Sequence, residues 1–246
     1  MAVPDAIIPD PIIIAVIGVA VLLGTVVQSS VGLGVGLVAA PVAALLDPSL
    51  MPGGMLIVTA ATPLLTLPGE WRRADWRGIG WGMLGRLAGT VAGVWVVSAL
   101  SVRALGLAVG AMVLVGVAAS VWAVRIRVTP ATVASAGVIS GITGTATSIG
   151  GPPMALVYQH EPGPTVRATL GVYFLLGIAA SLAALAIGGQ LHLREVVAGV
   201  SLLPFMVAGF LLGRPIRRIV DAGSMRVMLL VVVSVSGAVL IARSLF

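Results

Sequence analysis

Gly141-Ile142-Thr143-Gly144-Thr145-Ala146-Thr147-Ser148-Ile149-Gly150-Gly151-Pro152-Pro153 sits inside very apolar sequence, yet it cannot be helical throughout. Two adjacent glycines weaken a helix, and two adjacent prolines remove two backbone donors. In a bilayer, broken backbone survives only where protein buries it or where it lines a wet cavity. Four small hydroxyl side chains, Thr143, Thr145, Thr147 and Ser148, crowd the break. N–H groups, hydroxyls and an absence of bulk suit a small oxyanion. An earlier stretch, Gln28-Ser29-Ser30-Val31-Gly32-Leu33-Gly34-Val35-Gly36 followed by Pro41, has the same character.

Composition sets the class. The 246 residues are 59% hydrophobic and 9% charged, with mean hydropathy +1.17. Soluble domains carry about 25% charged residues. The apolar runs are continuous rather than alternating, which excludes a membrane β-barrel and predicts an all-α polytopic membrane protein. The net charge of +6 comes from arginines scattered over loops and helix ends, so it does not point to nucleic acid. There is no cysteine, hence no disulfide, thiolate nucleophile or cysteine metal site. Residues 1–10 hold no Arg or Lys, which argues against a cleaved signal peptide and for a first membrane helix that is retained.

Six runs are long enough to cross a hydrocarbon core of about 30 Å: 50–68, 78–100, 104–124, 168–188, 195–213 and 224–245. The runs 11–29/33–46 and 131–148/152–160 bend at the two breaks as hairpins, either re-entrant or fully spanning. Placing Gly34 on Gly150 puts Asp47-Pro48 on Gly163-Pro164 and, after a small shift, Gly89 and Gly93 on Gly209 and Gly213. The expectation is one membrane domain of two repeats. Residues 1–125 hold the hairpin near 11–46 and three spans; residues 126–246 hold the hairpin near 131–160 and three spans. Eight loop arginines (Arg72, Arg73, Arg77, Arg125, Arg127, Arg214, Arg217, Arg218) then share one face, with Arg167 beside them. The positive-inside rule makes that face cytoplasmic and the repeats inverted.

The candidate substrate contacts are Gln28, Ser29, Ser30, Gly32, Gly34 and Gly36 at the first break. At the second they are Thr143, Gly144, Thr145, Thr147, Ser148, Gly150, Gly151, Pro152 and Gln159. Half-helix N-termini attract anions. Gln28 and Gln159 either bond substrate or satisfy backbone freed by the breaks. Arg86 lies about 12 Å into its segment, and an intramembrane arginine marks function unless it snorkels or bonds carbonyls of a broken helix. Every acid sits in a loop or at a segment end, so an anionic substrate is its natural partner. Arg167 is either a topology arginine or a gate or substrate contact. Gly85, Gly89, Gly93, Gly209 and Gly213 read as close helix packing. His160, Glu161 and His192 leave room for proton or ion coupling but make neither a metal site nor a catalytic set. No cofactor is implied. Trp71, Trp76 and Trp81 read as an interfacial belt.

These motifs resemble the sulfite exporter TauE/SafE family of membrane permeases. The resemblance rests on Val31-Gly32-Leu33-Gly34-Val35-Gly36 with Pro41, on Gly141-x-x-Gly144 running into Gly150-Gly151-Pro152-Pro153, and on Arg167-Ala168-Thr169-Leu170. The first motif departs from a run of adjacent glycines. The resemblance implies a secondary transporter in a bacterial inner membrane. It would move sulfite, sulfoacetate, other organosulfonates or related small carboxylates. The paired breaks suggest export by alternating access, one half rocking against the other, with a homodimer as a further expectation. Rival readings are an uncoupled anion channel, a membrane enzyme and a membrane scaffold.

Overall fold

Long apolar runs leave the backbone little water to bond, so the chain satisfies its N–H and C=O groups within helices. The computed structural model describes residues 9–31, 35–67, 71–121, 126–219, 234–235, 237–242 and 244–245. The helices are α1 Pro11–Val31, α2 Val35–Leu46, α3 Gly53–Thr66, α4 Trp76–Ala99, α5 Val102–Val121, α6 Pro130–Thr147, α7 Gly151–Tyr158, α8 Gly163–Ile187 and α9 Leu193–Ile219. The described residues beyond 233 are also helical, and no strand occurs among the described residues.

Stretches within α1, α4, α8 and α9 are long and apolar enough to cross a membrane. The run expected at 50–68 is shorter. It forms the 14-residue α3, because a 3-10 turn at Pro48–Leu50 and the Met51-Pro52 step delay helix until Gly53. At 1.5 Å per residue that is about 21 Å. The run at 104–124 is the 20-residue α5, and the span expected at 224–245 lies partly outside the described residues.

The second break falls where Gly150-Gly151-Pro152-Pro153 requires it. α6 ends at Thr147, Ser148 turns left-handed at φ 61°, and α7 begins at Gly151. A non-glycine residue there costs about 1–3 kcal/mol and needs support from its surroundings. The Ser148 hydroxyl supplies some, donating to the Pro52 carbonyl at 2.8 Å. The first break separates α1 from α2; Gly32 and Gly34 lie outside the described residues.

The most extensive contact in the fold is α4 against α6. A Cβ at Gly85 would overlap the Ala134 carbonyl, and one at Gly89 the Val138 carbonyl. Reciprocally, a Cβ at Gly137 would overlap the Gly82 carbonyl, and one at Gly141 the Arg86 carbonyl. Glycines four residues apart therefore let two backbones touch, as small residues do between membrane helices. The second extensive contact, α1 against α9, uses the same device: a Cβ at Gly209 would crowd Leu22 and Thr25.

Two apolar clusters follow. One joins α1, α2, α5 and α9 through Ile17, Val38, Val113 and Leu202. The other joins α4, α6, α7 and α8 through Ile79, Val133, Met154 and Tyr173. At one end Asp75 caps α4, accepts from the Tyr158 hydroxyl at 2.8 Å and donates its N–H to Thr169 at 2.9 Å. Elsewhere Arg194 pairs with Asp47 at 2.8 Å. The buried Glu195 accepts from the Gly53 and His192 N–H groups, each at 2.8 Å.

Gly89→Ala is expected to lower stability by about 1–3 kcal/mol, since the added methyl must push two backbones apart. Ala88→Val, on the exposed face of the same helix, is expected to change little. Thermal melts of the detergent-purified variants compare the two.

Candidate functional site

The α4–α6 contact carries Arg86 to the break. Arg86 lies ten residues into α4, about 15 Å along it, and is 1% exposed. It does not snorkel. Its Nη1 donates to the Ser140 hydroxyl at 2.8 Å and approaches the Ser140 carbonyl at 3.4 Å. The Ser140 hydroxyl donates onward to the Gly150 carbonyl at 2.6 Å. Ser140 thus ties the guanidinium to a backbone group that the break releases.

Two residues of α8 shape the rest of the arginine's bed. The Tyr173 ring lies 5.3 Å from the guanidinium carbon, within cation–π range. A side chain at Gly177 would overlap the Arg86 Nε and Cδ atoms, so glycine there is what admits the arginine. Arg86 Nε and the Tyr173 hydroxyl are buried with no hydrogen-bond partner. The ion pairs of the described residues include His192–Glu195 and Arg194–Asp47, and no carboxylate among the described residues meets Arg86.

Arg86 opens on a cavity of about 70 Å³. That volume holds several water molecules, and it is far below the roughly 300–1,000 Å³ of sites for drug-sized ligands. Both breaks reach it. Gly144, Ser148, Gly150, Gly151 and Pro152 line it from the second hairpin, and Gln28 and Gly36 from the first. The N-terminus of α7 lies at its wall, where Gly151 is the first residue with an N–H and the two prolines after it have none. A helix N-terminus and a guanidinium together favour negative charge.

The other expected residues stand elsewhere. Thr143 bonds its own helix at the Ile139 carbonyl, Thr147 bonds the Thr143 carbonyl, and Thr145 pairs with the Ser181 hydroxyl at 2.8 Å. Gln159 and Arg167 are exposed and do not line the cavity. Gln28 accepts from the Val35 N–H at 3.0 Å, so it satisfies backbone at the start of α2 while also lining the cavity. Gly32 and Gly34 lie outside the described residues, as do the side chains of Ser29 and Ser30. His160 and Glu161 are exposed, and no metal-holding cluster occurs among the described residues.

The sequence reading missed Ser140, Tyr173, Gly177 and Ser181. A signal for three of them existed: Thr169, Tyr173, Gly177 and Ser181 recur every fourth residue on α8, one face of a helix. It placed Glu195 at a segment end, where it is the third residue of α9, but not its burial or its bond to the His192 N–H.

The sequence model of the sulfite exporter TauE/SafE family matches residues 16–240, nearly the whole chain. The chain belongs to the sulfite exporter TauE/SafE family. No curated protein and no solved structure matches it. Membership and the apolar helices make the TauE/SafE chain a multi-pass membrane transport protein.

Ser140→Ala is expected to destabilise the protein by about 1–3 kcal/mol, because Arg86 Nη1 and the Gly150 carbonyl both lose a partner inside the fold. Ser135→Ala, exposed on the same helix, serves as the control, and thermal melts read the difference.

Proposed function

We propose that the protein is a secondary transporter that exports small sulfur-containing anions, sulfite or organosulfonates, across a bacterial inner membrane. It binds them in the cavity between the two broken hairpins. The observation that carries this reading is Arg86: a buried guanidinium with an unpartnered Nε, no acid against it, and a cavity at its side. A buried charge is stable only when paired or well bonded. Ser140 and Tyr173 meet part of that need, and an anion completes it.

The anion's other contacts come from the α7 N-terminus, while the Ser148 hydroxyl stays committed to the Pro52 carbonyl. Gln28 and Gly36 close the site from the first hairpin. Thr143, Thr145, Thr147, Gln159 and Arg167 then serve packing, capping or the surface rather than the substrate. His160 and His192 stand outside the cavity and are assigned no coupling role.

Transport proceeds by alternating access of two inverted repeats, but the moving bodies are not the sequence halves. α4 of the first half is seated backbone to backbone on α6 of the second, and α1 on α9 crosses between the halves as well. One body is then α4, α6, α7 and α8, the other is α1, α2 and α9, and α3 packs on both through α8 and α9. The cavity lies where they meet.

Two experiments test this. In proteoliposomes, Arg86→Gln should abolish saturable sulfonate or sulfite flux while the variant still purifies folded; undiminished flux would remove Arg86 from the mechanism. The chain has no cysteine, so an engineered pair reports cleanly. A Gly82→Cys, Val133→Cys disulfide between α4 and α6 should leave transport intact. If the sequence halves rock instead, oxidation stops flux and reduction restores it.

A further inference from the structure

We infer that the cavity takes a short-chain organic monoanion, one negative head on a small aliphatic tail, and rejects dianions and zwitterions. This narrows the anion-site reading above to organosulfonate-like ions in preference to sulfite, and rests on it.

Charge count is the first ground. Arg86 is the one charged side chain lining the cavity among the described residues. One guanidinium balances one negative charge. A second would stand in a low-dielectric wall without a partner, and an uncompensated buried charge is strongly disfavoured. The same holds for a substrate ammonium, since no carboxylate lines the cavity.

The wall is the second ground. Polar lining comes from α4, the α6–α7 break and Gln28 of α1, and Thr59 of α3 turns its hydroxyl back on the Met55 and Leu56 carbonyls. α2, α3 and α8 contribute Leu37, Leu56, Pro63, Phe174 and Ile178. On α8 the two characters are adjacent. Tyr173 and Gly177 bed the arginine, and the next residue round from each, Phe174 and Ile178, faces the cavity. A head held at Arg86 therefore has apolar surface within one residue's turn of the helix. A bare inorganic oxyanion would leave that surface against water or empty space. An alkyl tail covers it, at about a fourfold gain in affinity for each buried methylene.

The test is thermal stabilisation of the purified full chain by single ligands, converted to dissociation constants by mass action. Methanesulfonate, ethanesulfonate, propionate, taurine, sulfoacetate and sulfate form the series. Taurine is ethanesulfonate with an added ammonium, and sulfoacetate carries a second negative group on a similar frame. The expected result is that ethanesulfonate binds about fourfold tighter than methanesulfonate, and at least about tenfold tighter than taurine, sulfoacetate and sulfate. Propionate tells whether a carboxylate head serves as well as a sulfonate. Ile178→Ala should shift the preference to a longer chain. If sulfate or sulfoacetate binds as tightly as ethanesulfonate, or if chain length has no effect, the inference is overturned while the anion site stands. If no anion stabilises wild type, or if Arg86→Gln responds as wild type does, the anion site itself is wrong.

Discussion

The fold depends on two backbones touching. Between helices that hold no wide apolar seam, association relies on close van der Waals contact, and only glycine allows it at the spacing seen between α4 and α6. Gly85 and Gly89 press on the carbonyls of Ala134 and Val138, while Gly137 and Gly141 press back on those of Gly82 and Arg86. Two meshed rows fix the register as well as the distance. A slip by one residue would turn every glycine away and drive a side chain into a carbonyl.

That register fixes the chemistry. With Gly141 against the Arg86 carbonyl, Ser140 falls beside the guanidinium, and Ser140 in turn reaches the Gly150 carbonyl across the break. The charge, the hydroxyl and the bent backbone are thus one unit. Glycines at 144, 150 and 177 leave the room the arginine occupies; a Cβ at any of them would crowd it. Ser148 holds the other side of the bend through the Pro52 carbonyl at the start of α3. A buried arginine is costly in an apolar bundle, and the tyrosine face and hydroxyl around Arg86 are what make it tolerable.

Much of this was legible in the residue order. Adjacent Gly-Gly-Pro-Pro admits few backbone paths, so the second break sits where the sequence puts it. Glycines every fourth residue in α4 announced a close neighbour, though not that the neighbour is α6. A lone arginine amid apolar residues announced a site. What could not be read was which helix meets which, because packing partners are set by shape across the chain and not by local pattern. Hence Tyr173 and Gly177, distant in sequence from Arg86, passed unnoticed. Thr145 and Thr147 looked like ligands because hydroxyls near a break can bond either substrate or backbone. Here they bond Ser181 and the preceding turn. The length of α3 was misjudged because Pro48 and Pro52 shorten a helix without lowering hydropathy.

The pairing of α1 with α9 bears on how the protein is made. A chain emerges from its N-terminus, and α1 enters the lipid early. The surface it needs, around Phe205 and Gly209, arrives only after residues 32–192 have been synthesised. Until then Gly18 and Thr25 face lipid or a temporary partner such as an insertase. The first five helices are accordingly not a self-sufficient module, and neither are the rest. Assembly of this face closes late, and a ribosome that stops before α9 leaves a fragment whose first helix holds α2 but lacks its largest partner, a natural target for membrane quality control.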